Sequence, residues 1–242
     1  MGTLVLDDAT IWVGGYDFTG DANQVSVSAS VAELDVTTFG SGGFRSRIGG
    51  LRDVTAQVAG FWSSGTSGAP DPEMFPDLGV ADRVVTVAPD AAEGAVAYMF
   101  QGGKFTGQMF GQVGEAVPFS LNMSGSNKAG LVRGQVLKAK GTVSATGAIG
   151  TATELGAVAS GQFLYATLHV FSAGTTITVV LESDADDTFA SATTRATFGP
   201  LTTRGGTWAA RVAGPVTDTW YRLRVTAATG SFTLAGAAGV GS

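Results

Sequence analysis

Val25-Ser-Val-Ser-Ala-Ser-Val31 is the stretch whose reading decides the fold. Val25, Val27, Ala29 and Val31 share one face, and Ser26, Ser28 and Ser30 share the other. This period of two marks a strand with one side packed and one side wet. The phase then slips, because Leu34 and Val36 are apolar where Glu33 and Asp35 are not. A bulge or sharp bend near Ala32-Glu33 is expected there, since one extra residue turns over the facing of everything beyond it. The chain returns as a second strand, with Val54, Ala56, Val58 and Trp62 on one face and Asp53, Thr55 and Gln57 on the other.

Between the two strands lies Gly40-Ser-Gly-Gly-Phe-Arg-Ser-Arg-Ile-Gly-Gly50. A tight hairpin needs only about two to five loop residues, so this connection is longer than turning requires. Two readings stand side by side. One is a solvated loop. The other is an arm that orders against a neighbouring subunit, for which Phe39, Phe44, Arg45, Arg47, Ile48 and Arg52 are the candidate contacts, because Arg and large apolar side chains favour interface centres.

The rest of the composition fits a strand-rich chain. Of 242 residues 36 are Gly, and Ala, Val, Thr and Ser supply much of the remainder, a mixture suited to short strands and turns. The absence of Cys excludes disulfides, thiolate metal sites and a Cys nucleophile. No basic stretch followed by an apolar run opens the chain, so no secretory leader is expected. Nothing approaches the ~18 uninterrupted apolar residues of a membrane span. The net charge is −6, with 9 Lys+Arg against 14 Asp+Glu in residues 1–140. An acidic protein does not grip phosphate backbones, where affinity comes from cations displacing counterions.

Thr3–Val13 reads as an extended arm entering a first strand, and Ser63–Ala69 as a Gly/Ser loop. Pro70–Gly79 is the one helix signal, with Asp71 as cap, Pro72 at the first helical position and Gly79 as the stop. Met74, Phe75 and Leu78 are expected to dock it. Further strands are expected at Arg83–Ala88, Ala95–Phe100, Lys104–Phe110 (kinked), Ala116–Met123 and Leu131–Lys138. Pro118 predicts that the fourth of these is an edge strand or carries a bulge. Residues 141–160, mostly Gly, Ala, Thr and Ser, read as a linker, with a last strand at Thr142–Ala145 as the weaker alternative. Residues 161–242 read as an independent β-sandwich or jelly-roll-like domain, in which Trp208, Ala210 and Val212 share an inner face.

Catalytic and metal chemistry find little support. His169 is alone in mid-strand, and no nucleophile-elbow or phosphate-loop pattern is present. Asp184, Asp186 and Asp187 share a turn but lack the Gly and distal Glu of a calcium loop. No enzyme activity, cofactor or metal is expected. Trp220, Arg222 and Arg224 alternate onto one strand face and form a candidate exterior ligand patch.

Four pieces resemble the tail tube (major tail) proteins of long-tailed bacteriophages: Gly15-Tyr-Asp-Phe-Thr-Gly20, Asn23-Gln-Val-Ser-Val, Glu33-Leu-Asp-Val-Thr-Thr-Phe-Gly40 and Gly49-Gly-Leu-Arg-Asp-Val. The resemblance covers about residues 9–138. It implies an all-β tail-tube-like sandwich or barrel over 1–140 with one short helix and a long inter-strand arm, followed by an extra β domain on the tube exterior. It implies further that copies form hexameric rings, that rings stack into a virion tail tube, and that DNA passes without tight binding. Glu33, Asp35 and Asp53 then become candidate acids of the lumen. Other tail proteins, such as tape-measure and terminator proteins, become expected partners, and weak glycan contact is assigned to the C-terminal part. The rivals are a monomeric carbohydrate-binding β-module and another virion part, such as a capsid decoration or tail-tip protein.

Overall fold

A computed structural model describes residues 9–64, 69–126, 129–209 and 211–242, with the backbone alone for Phe105. The expectations for residues 3–8, for loop residues 65–68 and for Ala210 fall outside the described residues. Among the described residues the chain is all-β apart from one short α-helix and a 3-10 turn at Phe39–Ser41. In order, the elements are β1 Thr10–Val13, β2 Tyr16–Asp17, β3 Ala22–Asp35, β4 Arg47–Phe61, α1 Pro70–Met74, β5 Arg83–Ala88, β6 Val96–Met109, β7 Pro118–Gly125 and β8 Val132–Val143. They continue as β9 Gly147–Glu154, β10 Phe163–Ser172, β11 Thr176–Asp184, β12 Thr193–Leu201, β13 Gly205–Trp208, β14 Val212–Ala213, β15 Trp220–Thr229 and β16 Phe232–Gly241.

The larger sheet follows the order β13-β10-β16-β8-β6-β5-β1-β2, and β14 pairs with β10. The far half of β6 carries a branch, β7, then β4, then β3. The smaller sheet is β12-β11-β15-β9.

This topology corrects the expected linker and the self-contained second domain. β8 runs on to Val143, β9 pairs with β15, and β16 inserts between β8 and β10. The C-terminal strand therefore completes a sheet begun in the N-terminal half. The small residues of 141–160 meet a packing demand. A Cβ on Gly150, whose φ is +71, would lie 2.0 Å from the Leu137 carbonyl oxygen. Glycine is used there because the backbone passes so close.

Three apolar clusters hold the layers. One lies among β1, β4, β5, β6, β7 and Met74 of α1, with Val13, Val58, Phe100 and Leu121 fully enclosed. A second joins β10 and β16 to the smaller sheet through Leu168, Val179, Phe198, Tyr221 and Phe232. The third bridges the halves: Trp12 of β1 and Met99 of β6 belong with Tyr165 of β10 and Ala235 of β16. Each large side chain so buried contributes about 1.5–3 kcal/mol.

An ionic clasp reinforces that seam. Arg204, in the β12–β13 turn, donates to Glu73 of α1 at 2.8 Å and lies 4.1 Å over the Tyr16 ring. Lys104 of β6 is wholly buried and reaches Asp77 at 3.0 Å and the Glu73 carbonyl oxygen at 3.2 Å. Arg83 bonds the other oxygen of Asp77.

Three local expectations change. The helix starts at Pro70, and Asp71 accepts a hydrogen bond from the Trp62 indole at 3.2 Å, inside the first turn. Met74 is buried, whereas Phe75 and Leu78 are exposed. The strands expected at Ala95–Phe100 and Lys104–Phe110 are one strand, β6, with a register shift between Lys104 and Thr106. Finally, β7 lies between β4 and β6 and is no edge. Pro118 is tolerated because it is the first residue of β7, where a missing N–H costs least.

Candidate assembly interface

The branch β3-β4-β7-β6 is a four-stranded antiparallel sheet with two unpaired sides. Its hydrogen-bond directions follow from its ends. Phe61 N donates to Asp21 O at 3.0 Å, and Trp62 N donates to Val117 O at 2.7 Å. Odd residues of β4 therefore bond toward β3 and even residues toward β7. Ser26, Ser28 and Ser30 lie opposite Gln57, Thr55 and Asp53 and bond inward. Val25, Val27 and Ala29 consequently turn their N–H and C=O groups outward, away from β4. On the far side, Thr106 and Gln108 of β6 lie opposite Asn122 and Ser120 of β7, which leaves Gly107 and Met109 turned outward. Lys104 O is taken by Gly79 N at 2.8 Å, so the open part of β6 begins beyond it.

The distal half of the β3–β4 hairpin projects from the body. Every residue from Ser28 to Gly40 is exposed, and on β4 burial begins only at Val54. The register shifts between Val31 and Glu33, but β3 advances two residues there while β4 advances three, from Arg52 to Gly49. The extra residue of the bulge is therefore on β4, and β3 keeps its alternation, against the sequence expectation. Beyond it, Leu34 lies opposite Ile48 on the side of the serines, while Glu33, opposite Gly49, and Asp35, opposite Arg47, lie on the side of Val31. Among the arm candidates, Phe39, Phe44 and Arg45 stand on the turn, Arg52 shares the side of Val54, and Ile48, opposite Leu34, faces the serine side. Arg47 is held on its own hairpin by Glu33 at 2.5 Å. Arg52 donates to the Ser242 carbonyl oxygen at 3.1 Å, so it braces the base of the arm.

Of the three lumen candidates, Asp53 lies on the serine face, opposite Ser30, whereas Glu33 and Asp35 lie on the other face, with Val31. The face of Asp53 continues as Ser26, Ser28 and Ser30 of β3, Thr55 and Gln57 of β4, Ser120, Asn122 and Ser124 of β7, and Thr106 and Gln108 of β6. It is a field of hydroxyl and amide groups with one acid, Asp53, and toward the tip it turns apolar through Leu34 and Ile48. Hydrogen bonds from Thr37 hold the Asp35 carboxyl below the usual carboxylate range. Asp53 accepts from Val54 N at 2.8 Å. The sequence reading found the β3 and β4 part of this face. It missed the β6 and β7 part, although Ser120, Asn122 and Ser124 alternate against Phe119, Leu121 and Met123.

The C-terminal candidates are placed differently. Arg222 and Arg224 reach the same buried carboxylate, Glu182, at 2.9 and 3.3 Å, and Arg222 lies 4.1 Å over the Phe189 ring. Trp220, half-buried, stands beside them opposite Asp184. The acidic turn is self-capped: Asp184 accepts from the N–H groups of Ala185 and Ser191, and Asp186 accepts from Thr188. His169 is fully buried within the seam.

No protein-family model and no curated protein matches the sequence. Among solved structures, the fold is similar to a chain in the virion of a native gene transfer agent particle, with 16% identity over 53% of this chain and 98% of that one and a TM-score of 0.44. It is similar also to a chain in the tail of an empty gene transfer agent particle refined with C6 symmetry, with 17% identity, 53% and 97% coverage and a TM-score of 0.42. The Dit protein of phage SPP1, described as a hub of the adsorption apparatus, aligns over 97% of this chain and 99% of its own, with 11% identity and a TM-score of 0.39.

Proposed function

We propose that this protein is a structural virion component, the repeating subunit of a phage tail tube. One observation carries the reading: a four-stranded sheet with one polar face, two outward-bonding sides and an arm that its own body leaves bare. An open strand is a template for another chain, and natural proteins cover or charge such edges unless they use them. The long β3 side of one copy pairs with the open end of β6 in the next. This contact is head-to-tail, so it repeats and closes into a ring when the rotation allows. A hexamer is the ring that the resemblance implies.

In that ring the polar face lines the channel. Serine, threonine, asparagine and glutamine offer DNA no cation to displace its counterions, and Asp53 on the same face repels it. The smaller sheet lies on the outside. Tape-measure and terminator proteins are the partners such a tube would meet, and the assembled virion is its place.

Negative-stain imaging and light scattering of the purified protein test this. Rings or tubes are the expected result. A lasting 24.4 kDa monomer would sink the reading, and glycan binding by that monomer would favour a carbohydrate-binding module instead.

A further inference from the structure

We infer that rings of this protein stack through a head-to-tail contact between the β3–β4 turn of one copy and the β6–β7 turn of a copy in the next ring. The inference rests on the tube reading above and names the partner surface for its axial growth. The two turns lie at opposite ends of one sheet. β4 runs from Arg47, at the first turn, to Phe61, which lies opposite Pro118 beside the second. At 15 residues, β4 separates the two turns by about 50 Å.

Both ends present bare apolar side chains. At the first turn Phe39 and Phe44 are 113% and 80% exposed, and at the second Phe110 and Val113 are 66% and 106% exposed. Phe110 is held at φ +72, a left-handed conformation that residues with side chains rarely adopt. Beside it, Ala59, Gln108, Pro118 and Ser120 help line an open groove of about 250 Å³. An apolar cavity of about 150 Å³ already admits a benzene ring, so the groove takes one phenylalanine side chain.

The charges are complementary. Arg45 is the only charged residue in 36–46, and Glu115 is the only one in 110–117. Both are exposed, and neither makes an ion pair among the described residues. A turn of one sign carrying aromatic side chains and a grooved turn of the other sign, at opposite ends of one sheet, fit a second copy placed end to end.

Charge exchange tests the contact, with tubes and single rings counted by negative-stain microscopy. Arg45→Glu alone and Glu115→Arg alone are expected to leave rings intact and to reduce tubes at least about tenfold, since like charges then face each other. Combining both restores tubes. Phe44→Ser is expected to shorten tubes without changing the thermal melt. Three results would overturn the contact while leaving the ring reading standing: single reversals that leave tubes unchanged, a combination that fails to restore them, or wild-type rings that never stack. Loss of rings in Arg45→Glu would also overturn it, by making the turn a lateral contact. A wild-type protein that forms no ring at all would remove the tube reading itself.

Discussion

The Thr86 hydroxyl on β5 lies 2.8 Å from Nε2 of His169 on β10, and Nδ1 of the same ring lies 2.8 Å from the Gly14 carbonyl oxygen. The carbonyl only accepts, so Nδ1 carries the proton and donates, and Nε2 accepts from Thr86. One neutral imidazole thus ties β5 and the β1–β2 turn of the N-terminal half to one strand of the C-terminal half. Burial pushes its pKa down to about 4.

That tie sets a pH dependence. The unfolded chain takes a proton on this imidazole below about 6.5, whereas the folded chain resists until about 4. The unfolded state therefore binds more protons within that window. Stability is fully present above pH 6.5 and falls as the pH drops toward 4, by up to about 3 kcal/mol. The carboxylates held low, such as Asp218 and Glu93, act in a more acidic window. Urea melts from pH 7 to pH 4 should show the slope. In His169→Phe it should vanish, with about 1–3 kcal/mol lost at neutral pH because the Gly14 carbonyl oxygen is left unpaired, while Thr86 keeps its bond to Thr167 at 3.1 Å. An unchanged slope in that variant would assign the effect to another group.

The open side of β3 gives a test that separates folding from assembly by one residue. Ala29 is exposed and its N–H turns away from β4, whereas the N–H of Ser28 turns toward β4. Ala29→Pro should leave the thermal melt nearly unchanged and abolish rings, because proline is tolerated on an edge but cannot donate to an added strand. Ser28→Pro should cost about 1–3 kcal/mol by removing a bond within the hairpin. Rings that persist in Ala29→Pro would rule out β3 as the joint.

Local alternation carried much of this architecture. The valine run Arg83–Ala88 is β5 to the residue, and Ser26, Ser28 and Ser30 share a face with Asp53, Thr55 and Gln57. The apolar-polar break at Ala32-Glu33, however, is no bulge of β3: the extra residue is on β4, and Glu33 and Asp35 face away from Asp53. Longer-range features were not legible. The burial of β16, Phe-Thr-Leu-Ala-Gly-Ala-Ala-Gly-Val-Gly, is almost continuous, so period two is absent and nothing local says which strands flank it. The pinning of Arg222 and Arg224 depends on the register that sets β15 against Glu182 of β11, a pairing across about 40 residues. The closeness of Leu137 to Gly150 likewise made a packed strand look like a flexible joint.

The polar face makes a prediction about DNA. Gln57 and Asn122 are neighbours across β4 and β7, and both are exposed. Gln57→Arg with Asn122→Arg adds two cations per copy to the surface proposed to line the channel. Assembled rings of this variant should retain a short fluorescent duplex with an affinity that falls steeply as salt rises, while wild-type rings should not. Identical DNA retention by both would mean that the face does not look into the channel.

The clasp around Asp77 predicts an asymmetry between its two ends. Burial pushes the Lys104 ammonium below its ordinary pKa, and Asp77 opposes that shift. Asp77→Asn leaves a wholly buried ammonium without its carboxylate, a situation that costs about 3–5 kcal/mol. Lys104→Met leaves Asp77 still paired with Arg83 and fills the same space with an apolar chain beside Phe18. Its cost should be smaller, about 1–2 kcal/mol, since a buried pair replaced by apolar packing often breaks even. Denaturant titration of both variants checks the order. If Lys104→Met is the more damaging, the lysine is held by its contacts with Tyr16, Phe18 and the Glu73 carbonyl oxygen, and the carboxylate of Asp77 is secondary to the seam.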